Sequence, residues 1–342
     1  MIKKIIIGAS AILLIIAGII GFNYYKTIFG ESVTKNGAIF VRTGSTLEEL
    51  TSSLTDFLPE AHDFDWVAEK KKFTKPKAGK YQLTKGMSLN DLVNLLRSGN
   101  QVPVSVSFNN QDTLEKLAGR IAQQIEADST ALVTAMLDPI FLEKNKLTKA
   151  SALGMYIPNT YHFYWNTSAE GFRNKMKKEF VKFWTRERVA KAKKIGLKRD
   201  EVLTMASIVQ KETAQVSERP TVAGLYMNRF NKGWPLQADP AIIYILKQQH
   251  GQDYVVKRVL YKDLEIKSPY NTYLNRGLPP TLIAMPDISS IDAVLNYEKH
   301  NYFYMCVNVD KIGFHAFASD LYEHGKNARK YQRWLDKQGI RR

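Results

Sequence analysis

Eighteen consecutive residues near the N-terminus, Ile5–Phe22 (IIIGASAILLIIAGIIGF), carry no charge, and Ser10 is their only polar side chain. As a helix the run reaches about 27 Å, and extension to Tyr25 covers the hydrocarbon core of a bilayer. It is longer than the apolar region of a cleaved signal peptide, and no small-x-small cleavage site closes it. Instead it ends on Phe22, Asn23, Tyr24 and Tyr25, the aromatic belt of a membrane interface. No cysteine follows it, which excludes lipoprotein processing. Lys3 and Lys4 precede it, so the positive-inside rule predicts a cytoplasmic tail (1–4), a transmembrane helix (5–25), and everything after Lys26 outside the cytoplasm. The expected location is the cell (inner) membrane, crossed once, with the main domains extracytoplasmic.

The remainder of the 342 residues, 44% hydrophobic overall, is long enough for two or three cored domains. The formal charge of +16 favours an anionic partner such as nucleic acid, a membrane surface or an acidic polymer. No RNA-binding motif, zinc-finger spacing or basic-region heptad accompanies that charge, so nucleic acid is not the expected partner. The single cysteine, Cys306, sits in NYFYMCVNV and reads as a small buried hydrophobe. The six histidines show no metal-ligand spacing, and neither metal nor cofactor is expected.

Two similar stretches follow the anchor, AIFVRTGSTLEELTSSL (38–54) and AGKYQLTKGMSLNDLVNLLRSG (78–99). Each reads as a strand, a glycine-containing turn and a helix. Ser45 or Thr46 caps the first helix, Ser88 caps the second, and Gly99 stops it. Residues 36–101 therefore form a small α+β module whose two halves look duplicated. Beyond it, 102–342 read as a larger α+β domain. Val102–Phe108 alternates as a strand, Leu114–Ile125 and Ser129–Leu137 are helical, and Gly171–Ile195 is a basic amphipathic helix. The aromatic stretch GMYIPNTYHFYWNTS (154–168) suits either a sugar-stacking surface or a pair of core strands.

The chemistry concentrates in EVLTMASIVQKETAQVSERPTVAGLYMNRFNKGWPLQADPAIIY (201–244). Val202, Met205, Ala206, Ile208 and Val209 recur at helical spacing, as one buried face requires. At about 100° per residue, Glu212 falls within roughly 40° of Met205 and Ile208. An acid at the C-terminal end of an apolar stripe is disfavoured as an anion by desolvation and by the helix dipole. A carboxyl kept protonated near neutral pH is a general acid. The alternative is a solvated residue at a fraying end, or an ion pair with Arg219 or Arg229. A second helix is expected over Thr221–Phe230. His315 and His324 fit either ligands or satisfied core residues.

Taken together, AGKYQLTKGMSLNDLVNLLRSG, YIPNTY, ASIVQKE, ERPTVAGLYMNRF, LQADPAIIY, SPYNTY, GLPP and HAFASDLYEHGKNARKY resemble, in that order, the MltG (YceG-like) family of membrane-bound endolytic murein transglycosylases. The resemblance covers nearly everything after Lys35. It implies a single-pass anchor, a LysM-like subdomain over 36–101 and a catalytic domain over 102–342. It also implies a lyase that cleaves the MurNAc–GlcNAc β-1,4 bond of nascent glycan strands without water, leaves 1,6-anhydro-MurNAc ends and terminates strand elongation. The family's catalytic acid falls on Glu212. Peptidoglycan strands are the implied partner, with cell-wall synthases as candidate protein partners. Some positions depart from the family's usual residues: Gln210 stands for Glu, Asn159 for Asp, Ala241 for Thr and Asp287 for Gly. We read Gln237, Asp239, Tyr244, Asn271 and Tyr273 as substrate contacts, with Asp239 orienting substrate or bracing its loop. Glu218, Asn228 and Arg229 are supporting residues, Glu218 being also a natural ion-pair partner for Arg219. The competing reading is a non-catalytic membrane scaffold that only binds peptidoglycan.

Overall fold

A computed structural model describes residues 2–339. Met1 of the expected tail and residues 340–342 of the expected catalytic domain lie outside the described residues. Helix α1 (Ile2–Phe29) is continuous through the apolar run. It exceeds the predicted span at both ends, because nothing interrupts helical hydrogen bonding until Gly30, whose N–H closes on the Lys26 carbonyl (2.8 Å). Among the described residues it is the one helix long and apolar enough to cross a membrane.

The chain divides into two compact units. The first runs to Val106 and takes in Ala122–Asp128 and Tyr161–Ser168; the second holds the remainder. In the first unit, β1 (Gly37–Val41) is followed by α2 (Leu47–Leu54), α3 (Ala61–Lys70), β2 (Gly79–Leu83) and α4 (Leu89–Ser98). Strands β1 and β2 pair antiparallel, Ile39 opposite Tyr81, so the two similar stretches lie side by side. Thr46, not Ser45, caps α2: its Oγ1 accepts from the Glu49 N–H (3.2 Å), and the Glu49 carboxylate accepts from the Thr46 N–H (3.1 Å). Ser88 caps α4, its Oγ accepting from the Asp91 N–H (3.2 Å), and Gly99 ends it in the left-handed conformation that glycine adopts without strain. The apolar side chains of these elements form one core around Leu54, Phe64, Tyr81 and Leu92. Residues 122–128 and 161–168 join this unit through contacts that sequence does not announce. Glu126 accepts from Thr43 N–H and Oγ1, and Trp165 packs edge-on against Phe40.

Strand β3 (Val104–Phe108) pairs with β4 (Asn159–Phe163), so part of the aromatic stretch is half of a strand pair. Helices α5 (Leu114–Ala122), α6 (Ser129–Met136) and α7 (Pro139–Lys144) come between them. The expected helix 171–195 is broken into α8 (Ala169–Phe183) and α9 (Arg186–Lys194). Thr185 turns extended and caps α9 (ψ 162°), which lets Trp184 bury against Phe180 and Phe183.

The second unit is built around α10 (Arg199–Glu212), which packs against α11 (Arg219–Asn231), α12 (Asp239–His250) and α13 (Ile288–Leu295). Every residue from Val202 to Val209 is buried, so α10 is a central helix and not the one-faced helix that its periodicity predicts. Its inward polar groups close locally. Ser207 Oγ donates to the Thr204 carbonyl (2.7 Å) and accepts from Ile283 N–H (3.0 Å). Each aliphatic side chain buried here contributes about 1.5–3 kcal/mol. A hairpin of β5 (Tyr304–Val307) and β6 (His315–Ala318) precedes α14 (Leu321–Lys337). Cys306 on β5 is half-buried, not fully inside. The hairpin reaches the end of α10 because the segment before it docks along one face of α11. Gly224 makes this possible, since a Cβ there would stand 2.2 Å from the Glu298 carbonyl oxygen.

Candidate active site

Glu212 is the last residue of α10, followed by Thr213 as its extended cap. The residue is half-buried, and Oε2 accepts from Tyr226 Oη on α11 (3.0 Å). Desolvation raises the acid to about 6, and the nearby Asp239 carboxylate pushes it the same way. His315, the Tyr226 hydroxyl and Arg229 act in the opposite direction. Burial and the neighbouring Glu212 hold the Tyr226 phenol far above its usual range, so it stays a hydrogen-bond donor.

Neither arginine forms an ion pair with Glu212. Arg219 turns to Ser289 Oγ (2.5 Å) and Asp287 (3.5 Å). Arg229 is buried, with Nε on the Phe303 carbonyl (2.8 Å) and Nη1 on the Leu236 carbonyl (2.5 Å). Asn228 donates to the carbonyls of His300 (2.9 Å) and Tyr302 (3.0 Å), which ties α11 to the lead-in of the hairpin.

Glu218 is occupied by other partners. It is 5% exposed. Its Oε1 accepts from the His315 N–H (2.6 Å), and Oε2 lies 2.9 Å from His315 Nδ1 and 2.8 Å from Thr213 Oγ1. The expected pairing with Arg219 is therefore replaced by one with His315, because β6 crosses this spot. Through Thr213, Glu218 holds the residue next to Glu212.

The segments that carry Gln237–Asp239 and Asn271–Tyr273 meet. Thr272 Oγ1 accepts from Ala238 N–H (3.0 Å), the Thr272 carbonyl accepts from Gln237 N–H (3.0 Å), and Tyr273 Oη donates to Asp239 Oδ1 (2.5 Å). Gln237 adopts a left-handed backbone (φ 53°) with its side chain exposed. Glu212 raises the Tyr273 phenol, as does its bond to Asp239, after burial as the leading cause. Asp239 and Tyr273 thus stand within electrostatic reach of Glu212.

This arrangement sits inside residues 39–330, which match the model of the YceG-like family. The chain belongs to the YceG-like family. It is 30% identical over 340 residues to an endolytic murein transglycosylase of Bacillus subtilis, covering 93% of this chain and 91% of that one. It is 28% identical over 320 residues to the endolytic murein transglycosylase of Streptococcus pneumoniae D39, covering 84% of this chain but 57% of that longer relative. A crystal structure of a YceG-like protein from Listeria monocytogenes is similar, with a TM-score of 0.58 and 29% identity over 85% of this chain and 98% of that one.

Not every expected contact of this YceG-like chain faces the acid. Asn271 is wholly buried; its amide donates to the carbonyls of Leu264 and Ile266 (both 2.8 Å), and its Oδ1 accepts from Tyr273 N–H (2.9 Å). It braces the loop that carries Tyr273 and does not stand at its surface. Tyr244 packs on Tyr270 (ring centroids 4.9 Å) and lines a recess of about 480 Å³ with Asp112, Lys149, Gln248 and Leu282. Sequence reasoning missed Tyr226. The available signal was a lone phenol in the otherwise apolar run Val222–Met227 of a predicted helix. It also left His315 open between ligand and core; the structure makes it the half-buried partner of the buried Glu218.

Tyr226→Phe removes a donor that favours the Glu212 anion. The midpoint of Glu212 titration is expected to rise above about 6, by up to roughly one unit. Carboxyl carbon NMR reads this directly, and an unchanged or lower midpoint would count against the bond.

Proposed function

We propose that this chain is a membrane-anchored peptidoglycan lytic transglycosylase, a lyase in which Glu212 is the one obligatory acid. What carries the reading is a single partly sheltered carboxyl at the end of α10, raised to about 6, bonded to a phenol and ion-paired with neither Arg219 nor Arg229. The names of the relatives point to the same substrate. The protonated Glu212 donates to the glycosidic oxygen as the bond from the MurNAc anomeric carbon to that oxygen breaks, and the bonding pair leaves with the oxygen. Glu212, now a carboxylate, takes the proton of the MurNAc 6-hydroxyl, and that oxygen attacks the anomeric carbon. The products are a free GlcNAc 4-hydroxyl and a 1,6-anhydro-MurNAc end, with no water consumed.

A hydrolase would need a second carboxylate at a set separation. Glu218 is engaged by His315 and Thr213, and Asp239 by Tyr273. We assign Asp239, Tyr273 and Gln237 to orienting the strand, Asn271 to holding the Tyr273 loop, and Glu218, Asn228 and Arg229 to supporting the site. Tyr244 is assigned to a more distant part of the strand. The domain that carries Glu212 lies outside the cytoplasm in this reading, and the module over 36–101 is LysM-like. Endolytic cleavage near cell-wall synthases would terminate strand elongation at the inner membrane. The test is mass analysis of glycan strands digested by the full chain. Anhydro ends, lighter by one water than hydrolysed ends, are expected; ordinary reducing ends would sink the lyase assignment.

A further inference from the structure

The first unit carries a surface whose partner follows from where α1 places it. Thr34 N–H donates to the Phe57 carbonyl (2.9 Å), and further along the chain the Trp66 ring lies flat on Tyr24, with centroids 5.2 Å apart and 9° between planes. The stretch from 57 to 66 therefore runs back along the chain, from the level of residue 34 to that of residue 24. Helix α3 continues for one more turn past Trp66, about 6 Å, and ends at Lys70, with Lys71 and Lys72 following directly. Since 5–22 make up the apolar span of α1, the stack of Trp66 on Tyr24 puts α3 beside the end of that span, and Lys70 stands only one helical turn from that stack. Trp66 and Tyr24 then sit at the interface, where such rings are favoured.

From Ala68 to Lys77 the chain has five lysines, Lys70, Lys71, Lys72, Lys75 and Lys77, against the single acid Glu69. Lys71 Nζ donates to Asn90 Oδ1 (2.5 Å) and Lys77 Nζ to the Ser98 carbonyl (3.1 Å), whereas Lys70, Lys72 and Lys75 are exposed. Lys70 lies one turn from Trp66, on the face of α3 that meets α1. Lys72 holds the position just after the helix in a left-handed backbone (φ 53°), where glycine is the unstrained choice. Its N–H closes on the Glu69 carbonyl (2.8 Å), and that of Phe73 on the Ala68 carbonyl (2.8 Å). A cation thus stands directly at the end of this helix, in a backbone conformation that costs it some strain.

We propose that Lys70, Lys72 and Lys75 form a docking surface for anionic lipid headgroups, which holds the first unit against the membrane that α1 crosses. Each lysine near an anionic surface strengthens attachment about fivefold. The inference needs only that α1 spans the bilayer, so it stands or falls independently of the catalytic reading.

The test uses the full chain in nanodiscs of neutral phosphatidylcholine, with and without phosphatidylglycerol. Amide exchange over residues 66–73 is expected to slow roughly tenfold in the anionic discs, with high salt reversing the effect. The triple variant Lys70→Gln, Lys72→Gly, Lys75→Gln is expected to lose that protection. Lys72→Gly alone relieves the backbone strain, so it is expected to raise the unfolding temperature while weakening lipid protection, which separates docking from folding. Equal exchange in the two compositions, or full protection in the triple variant, overturns the proposal. Protection in neutral discs that appears only when a soluble acidic polymer is added overturns it too, in favour of a polymer partner.

Discussion

Glu212→Gln is expected to abolish strand cleavage, lowering the rate by at least about 10³-fold, because a single side chain donates the proton and then takes one back. The amide is isosteric and its oxygen still accepts from Tyr226, so the fold should be retained. The titration makes the two effects separable. A carboxyl whose folded pKa is raised stabilises the fold below its ordinary value and loses that advantage as pH rises from 4.5 to about 6. The neutral amide escapes this loss. Above pH 6 the variant should therefore be at least as stable as the parent, by thermal melting, while releasing no anhydro ends. Wild-type kcat/KM should fall as pH rises past about 6, tenfold per unit, as the acid form is depleted. A Glu212→Gln variant that still cleaves would remove this residue from the chemistry. One that cleaves nothing yet supports normal cell-wall growth would favour the scaffold reading.

The second large effect is expected at Glu218, and it concerns stability first. Glu218→Ala leaves the His315 N–H, the His315 ring nitrogen and the Thr213 hydroxyl without their buried acceptor. Removing one partner of a buried, hydrogen-bonded pair costs about 3 kcal/mol. The urea midpoint should fall accordingly with an unchanged denaturant slope. Activity should also fall, since Thr213 is the cap next to Glu212 and β6 loses its tie to that point. Glu218→Gln keeps an acceptor and should sit between the two. A change in stability below about 0.5 kcal/mol, the range of ordinary surface substitutions, would show that β6 is held there by something other than this carboxylate.

Much of the local structure was legible from pattern. The uncharged run predicted α1, and two similar stretches, each a strand, a glycine-containing turn and a helix, predicted β1 with α2 and β2 with α4. Ser88 and Gly99 marked the two ends of α4 by side chain and backbone preference alone. Where the reading failed, side-chain bonds that pattern does not register decided. Helix α10 looked one-faced because periodicity reports only the most apolar stripe; Thr204 and Ser207 are also inside, satisfied by bonds that periodicity does not register. Gly171–Ile195 looked like one helix because no glycine or proline interrupts it from Phe172 onward, and the cap at Thr185 outweighed that continuity.

The same division holds for the site. The sequence by itself determined which side chain can be a sheltered acid, because an apolar helical stripe ending in a carboxyl disfavours its charge wherever the helix lies. It also determined that residues 5–22 form a helix long and apolar enough to cross a membrane, since eighteen uncharged residues with one polar side chain leave nothing to interrupt it. Only the tertiary structure decided that Tyr226 meets Glu212, that Glu218 belongs to His315, and that Asn271 faces inward. Those outcomes depend on which backbones approach within hydrogen-bonding distance, and that is set by packing among α10, α11 and the hairpin, not by any local preference of the residues concerned.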